Sequence, residues 1–105
     1  MRVRIERDDE LGRYELFADD RRAGHLSFRL QGDLIALDHT EVHDRYEGEG
    51  LASDLARRAL DEARERGMGV LPFCPFVLGW MKRHPEYLDL VPENQRSRFG
   101  LDGRG

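Results

Sequence analysis

A chain of 105 residues supports one hydrophobic core and leaves little room for a second. With 39% hydrophobic and 36% charged residues, it has the composition of a folded domain with an ionised surface, not of a disordered segment. The net charge of -4 comes from 21 acidic and 17 basic residues that are intermixed, so no basic stripe marks a nucleic-acid partner, and the sole cysteine, Cys74, excludes an internal disulfide and a multi-cysteine zinc site.

Met1 to Asp9 alternates charged and apolar residues without an apolar run, which predicts a cytoplasmic location and no membrane partner. Val3 and Ile5 alternate with Arg2, Arg4 and Glu6 as a first strand. A turn near Gly12 leads to Tyr14, Leu16 and Phe17, and Asp19-Asp20 suits a hairpin turn. In the next strand Gly24, Leu26, Phe28 and Leu30 share one face and His25, Ser27 and Arg29 the other, before a turn at Gly32-Asp33. Leu34 to His43 begins with four apolar residues and reads as a central strand.

The period then changes. Leu51, Leu55, Ala59 and Ala63 recur every fourth residue, widened by Ala52, Ala56 and Leu60, which predicts an amphipathic helix of about four turns closed by Gly67. Asp54 with Arg58, and Glu62 with Arg66, are spaced to pair along it. Val70 to Phe73 reads as a buried strand parallel to the one before the helix. Pro72 has no amide for a sheet ladder and fits only where one side of that strand is unpaired, as between two parallel strands that diverge. Phe76 to Arg83 is a short helix with Pro75 in its first turn, and Tyr87, Leu88 and Val91 are expected to return to the core. The domain is assigned to residues 1–92. Residues 93–105 are expected to form a polar, loop-like tail frayed over its last five residues.

The segment Arg45-Tyr46-Glu47-Gly48-Glu49-Gly50-Leu51-Ala52 joins the central strand to the amphipathic helix. Glycines permit a tight turn and close ligand approach, and first-turn amides have no intrahelical partner, so this loop suits a pyrophosphate. No Gly-x-x-x-x-Gly-Lys-Ser/Thr loop is present, and Tyr46 stands where a dinucleotide fingerprint needs its opening glycine.

Arg45-x-x-Gly48-x-Gly50 resembles the Arg/Gln-x-x-Gly-x-Gly/Ala signature of Gcn5-related N-acetyltransferases. His39-Thr40-Glu41-Val42, Pro72-Phe73-Cys74-Pro75-Phe76-Val77 and His84-Pro85-Glu86-Tyr87 extend the likeness, over roughly Ala23 to Val91, to a branch of short acetyltransferase-like proteins. The resemblance implies a mixed α/β fold: a twisted mixed sheet with a central strand-turn-helix for acyl-coenzyme A and splayed parallel strands. It implies acetyl-coenzyme A or coenzyme A as ligand, held by the backbone of Tyr46 to Ala52 including Glu47 and Glu49, with pantetheine along Glu41, Val42 and His43 opposite Val70 to Cys74. It also implies transfer of an acetyl group to a primary amine of unknown identity, with a noncatalytic acyl-coenzyme A-binding module as the alternative. Two departures bear on transfer. The pair of helices that family members carry between their first two strands is replaced here by a short turn, and the usual tyrosine acid after the fifth strand is absent, with Phe76 and Trp80 the nearest aromatic residues.

His39, Glu41 and His43 recur every second residue and so share a strand face, where Glu41 or a histidine would take the amine proton, or all three form a hydrogen-bonded polar rim. A metal held by these three with Cys74 is disfavoured because the two histidines of a strand are ~13 Å apart along it, and no metal is expected. For Cys74 four roles stay open: proton donor to the leaving thiolate, covalent acyl acceptor, wall of the thioester pocket, or buried apolar filler. Lys82 and Arg83 are candidates for the coenzyme's 3'-phosphate or for a solvated face. The sequence gives no oligomeric state.

Overall fold

The computed structural model describes residues 1–102; the final residues of the expected frayed end, 103–105, lie outside the described residues. Five strands, β1 (Val3–Asp8), β2 (Arg13–Ala18), β3 (Arg21–Gln31), β4 (Leu34–Val42) and β5 (Gly69–Pro72), form one sheet in sequence order. The first four run antiparallel to their neighbours, and β5 is parallel to β4, across the helix α1 (Leu51–Glu65). The second helix, α2 (Pro75–Arg83), follows β5.

Each hairpin is closed by residues able to enter the left-handed region. Asp19 and Asp20 both have positive φ, at 50° and 68°, as a two-residue hairpin loop matched to the strand twist requires. Gly12 and Gly32 do the same work in the other two turns.

Two bulges interrupt the alternation. Leu16 pairs with Gly24 but Phe17 with Arg22, leaving Ala23 as an extra residue of β3. Phe28 pairs with Leu37 but Ser27 with His39, leaving Asp38 as an extra residue of β4. Cross-strand partners share a face, so Leu26, Phe28, Leu37 and Thr40 point to one side. His25, Ser27, His39 and Glu41 point to the other. Strict alternation along β4 would instead have put Leu37 and His39 together. Leu30, grouped with the core face by periodicity, is exposed near the strand end.

α1 buries Leu51, Leu55, Ala56, Ala59, Leu60 and Ala63 on the Leu26/Leu37 side of the sheet. Its polar flank is tied down by Glu62, which accepts hydrogen bonds from Arg58 Nε at 2.7 Å and from the buried Tyr14 hydroxyl at 2.8 Å. The expected helix pairs are therefore corrected: Glu62 bonds Arg58 and not Arg66, because Tyr14 and Arg7 draw its carboxylate toward the sheet, and Asp54 approaches Arg57 at 3.9 Å and not Arg58. α2 buries Val77, Trp80 and Met81. Trp80 stacks on His84 with ring centroids 3.8 Å apart, which gives that histidine a packing role at the helix end. Tyr87 donates to Asp61, and Val91 is fully buried.

The segment expected to be a polar loop is ordered differently. Glu93–Phe99 forms 3-10 turns, and Phe99 is buried with its ring edge-on to Phe73 at 5.2 Å. One aromatic residue in an otherwise polar stretch has no periodicity to reveal it.

Candidate functional site

β4 and β5 pair only from Leu34↔Gly69 to Leu37↔Pro72. Pro72 cannot donate the next ladder bond, and the Cys74 amide donates to Leu37 O at 2.8 Å as the last link between the two segments. Beyond it β4 continues to Val42 while the other chain turns into α2. The bulge at Asp38 falls at this same level, so β4 changes phase where its partner leaves. The divergent parallel pair expected from Pro72 is thereby present.

From the end of β4 the chain makes a 3-10 turn, Asp44–Tyr46, then Gly48 at φ 86° and Gly50 at φ 75°. Gly50 is the N-cap of α1 and has no side chain to cap it; the first intrahelical bond runs from the Asp54 amide to Gly50 O at 3.2 Å. The amides of Leu51, Ala52 and Ser53 precede that bond and are free of the helix ladder. A Cβ at Gly48 or Gly50 would meet no atom within 4 Å, so these positions face open space and their glycines answer to backbone conformation. A cavity of about 190 Å³ opens here between Val42, Tyr46, Glu47, Gly48, Gly50, Leu51, Ala52, Ser53 and Phe76.

Seven of the residues assigned to the coenzyme from sequence meet at this cavity. Ser53 and Phe76 were missed. The signal for Ser53 was its place as third residue of a helix, with an amide as free as those of Leu51 and Ala52; Phe76 arrives from α2 and had no sequence signal. Arg45 lies with its guanidinium 5.8 Å from the Tyr46 ring centre. Glu49 does not line the cavity, and neither do Lys82 and Arg83, which sit exposed in the last turn of α2. Asp44, Glu47 and Glu49 outnumber Arg45 in this turn, so a bound pyrophosphate would depend on amides and on the helix dipole more than on side-chain charge.

Cys74 is 3% exposed, is the N-cap of α2, and places Sγ 3.3 Å from Thr40 Oγ1 across the gap between the diverging segments. Thr40, not a histidine, is therefore its polar neighbour. His39 and Glu41 lie on the opposite sheet face, with His39 Nε2 3.4 Å from Glu41 Oε1. The third strand residue, His43, lies just past β4; it lines a shallow hollow with Glu41, His25 and Arg22. His25 was not singled out from sequence. Burial, followed by the charge of Arg13, holds its imidazole below the ordinary value. The structure thus separates the candidates into a thiol–hydroxyl pair on the helix side and an imidazole–carboxylate group on the open side.

The family model for GCN5-related N-acetyltransferases matches residues 13–90. This chain belongs to that family. Human protein NATD1 is 31% identical over 86 residues, covering 67% of this chain and 76% of NATD1. A GCN5-like protein from Staphylococcus aureus, determined by NMR, superposes with a TM-score of 0.66 at 20% identity, covering 85% of this chain and 87% of its own. The N-acetylglutamate synthase of Neisseria gonorrhoeae, solved with coenzyme A and N-acetyl-glutamate, superposes at a TM-score of 0.51 and 18% identity, covering 98% of this chain and 27% of that one. These structural likenesses establish the fold, including the mixed sheet and its helices.

Proposed function

We propose that this chain binds acyl-coenzyme A with its pyrophosphate on the amides of Gly48 and of Gly50 to Ser53, since those of Tyr46, Glu47 and Glu49 already donate to the carbonyls of His43, Asp44 and Tyr46, and with its thioester between β4 and β5, and transfers the acetyl group to a primary amine. The observation that carries the reading is the continuity of the divergent strands with the uncapped start of α1. A pantetheine arm laid along β4 from Thr40 to Val42 meets an unpaired strand edge. The coenzyme's phosphates then reach free amides without crossing a helix. Membership in an acetyltransferase family supports the same ligand.

In the transfer step the amine nitrogen attacks the thioester carbon and the carbon–sulfur bond breaks. The attacking amine must lose a proton and the thiolate must gain one. Glu41 or a neighbouring imidazole, on the open side, takes the first; the Cys74 thiol, beside Thr40 in the gap, gives the second. Direct attack is favoured over an acetyl-cysteine because the sheet lies between Cys74 and the imidazole–carboxylate group, so no base faces the thiol. A noncatalytic acyl-coenzyme A module is the second reading. It is favoured by one feature: residues 9–12 form only a turn, and among the described residues no helix covers the sheet face that carries His39 and Glu41.

Isothermal titration with acetyl-coenzyme A tests the binding, and absence of heat at millimolar ligand with folded protein would overturn it. Release of free thiol with a panel of amines tests the transfer. A thioester that binds and stays intact across the panel would establish the module.

A further inference from the structure

The face of the sheet opposite α1 carries a group of donors outside the coenzyme cavity; Glu41 and its neighbouring imidazoles are free to take the amine proton only while no ion is bound to them. His25 and Glu41 are direct cross-strand partners on β3 and β4, and His39 lies two residues along β4 on the same face. Direct and diagonal neighbours of this kind lie within reach of long side chains. One donor atom from each of His25, His39 and Glu41 lies within 4.8 Å of the other two. Ligands at ~2.0–2.2 Å from a tetrahedral ion are ~3.4 Å apart, and His39 Nε2 and Glu41 Oε1 already stand at 3.4 Å. Closing the remaining separations asks only for side-chain rotation, since the His39 and Glu41 side chains are 62% and 66% exposed.

A second observation points to the same place. Glu15, on β2, is the register partner of His25 on its other side. It is 4% exposed, and its Oε1 has no hydrogen-bond partner among the described residues, while Oε2 accepts from Arg13 at 2.9 Å and lies 3.6 Å from Arg22. A buried, unpartnered carboxylate oxygen is costly. Beside a ligating imidazole it has a use, because the nitrogen not bound to the ion carries a proton and needs an acceptor that fixes the ring.

We infer that His25, His39 and Glu41 form a binding site for a divalent transition-metal ion of the zinc class, with Glu15 behind His25 as its orienting acceptor. Two imidazoles and one carboxylate suit zinc or nickel better than magnesium or calcium, which prefer all-oxygen sets. The fourth position faces solvent. A bound ion joins β3 to β4 beside the bulge, so it stabilises the fold by an amount that grows with the logarithm of free ion over Kd. The set differs from the strand triad excluded by length: His25 takes the place of His43, crossing from β3 what would be too far along β4.

The test uses tag-free full-length protein stripped with chelator. Titration with zinc chloride is expected to give one saturable site of micromolar affinity. His39→Ala, at an exposed side chain whose loss does not threaten folding, should weaken it at least ~10-fold, as should His25→Ala. His43→Ala should leave it intact. Zinc at a hundredfold excess over its Kd should raise Tm by ~5 °C or more in the parent and not in His39→Ala. Cobalt substitution should give the visible absorption of a four-coordinate site. Absence of saturable binding at about 100 μM zinc, or binding that survives both His25→Ala and His39→Ala, would overturn the assignment.

Discussion

Gly24 sits on β3 opposite Val42, where β4 leaves the sheet for the turn through Gly48 and Gly50. A Cβ at this position would lie 2.3 Å from the Glu41 carbonyl oxygen and 3.0 Å from Val42 Cα. Ordinary contact begins at 3.4 Å, so Gly24→Ala falls short by roughly 1 Å, and because both obstructing atoms are backbone, no side chain can yield; the strands must part. Overpacking of this size costs ~1–3 kcal/mol, or a fall in Tm of about 4–8 °C per kcal/mol for a domain of this length. The segment displaced is Glu41–Val42 itself, and a ~1 Å misplacement of a reacting group reduces turnover by up to ~100-fold. Urea unfolding and amine-dependent thiol release, measured on the same preparation, read the two effects. Gly32→Ala is the control: its Cβ meets nothing within 4 Å, and its φ of 59° makes it cost ~1–2 kcal/mol by backbone strain alone, far from the coenzyme. Stability loss without functional loss is expected for Gly32→Ala and both losses for Gly24→Ala. If Gly24→Ala unfolds at the parent urea concentration and turns over normally, the close approach of β3 and β4 is not what positions the site.

Gly50→Val places a β-branched residue at φ 75° and projects it into the space proposed for the pyrophosphate, so calorimetry should show acetyl-coenzyme A affinity reduced ~10-fold or more. Cys74→Ser should lower the rate of thiol release while leaving that affinity unchanged, and mass spectrometry after mixing with acetyl-coenzyme A alone should find no acetyl group on the parent Cys74. Tyr14→Phe should lower stability at neutral pH by ~1.5–3 kcal/mol in urea titrations, since the lost partner is the Glu62 carboxylate. Burial, with the Glu62 hydrogen bond second, pushes the Tyr14 hydroxyl up to about 12. Burial raises the Glu62 carboxyl too, but hydrogen bonds from Arg58 and Tyr14 outweigh it and hold the group below its ordinary value. A depressed carboxylate contributes stability above its unfolded value that is lost as pH falls through the folded one, so the gap between parent and Tyr14→Phe should narrow as the pH falls below the ordinary carboxylate range.

Apolar patterning made the five strands and two helices legible: alternation for β1 and β3, continuous apolar runs for the start of β4 and for β5, and a four-residue repeat for α1. Pro72 goes further: a proline without a ladder amide implies the divergence of β4 and β5. The glycines at 48 and 50 mark the turn into α1 for the same kind of local reason. What remained hidden depended on counting across strands. From the Gly32-Asp33 turn, His25 counts back to face Thr40; the extra residue Asp38 moves it to Glu41. No property of Asp38 itself marks it as the extra residue, so neither the imidazole–carboxylate group nor the split between Cys74 and His39 was visible. Glu62 illustrates a second limit. Helix spacing offered it Arg66, but Tyr14 and Arg7, from 48 and 55 positions away in sequence, compete for it and decide which arginine it meets. Phe99 shows a third, since a lone aromatic anchor has no pattern.

The extra residue at Asp38 also sets rules for altering this chain. On either side of it β4 runs in opposite phase, so the strand behaves like a message read in two frames. Removing Asp38, or inserting one residue between it and His39, would turn His39 and Glu41 inward toward α1 and turn Thr40 out, exchanging the two sets of side chains through a change of one residue. Length changes here are therefore tolerable only in pairs, whereas the turn at residues 9–12 carries no such parity and is the natural place to lengthen the protein.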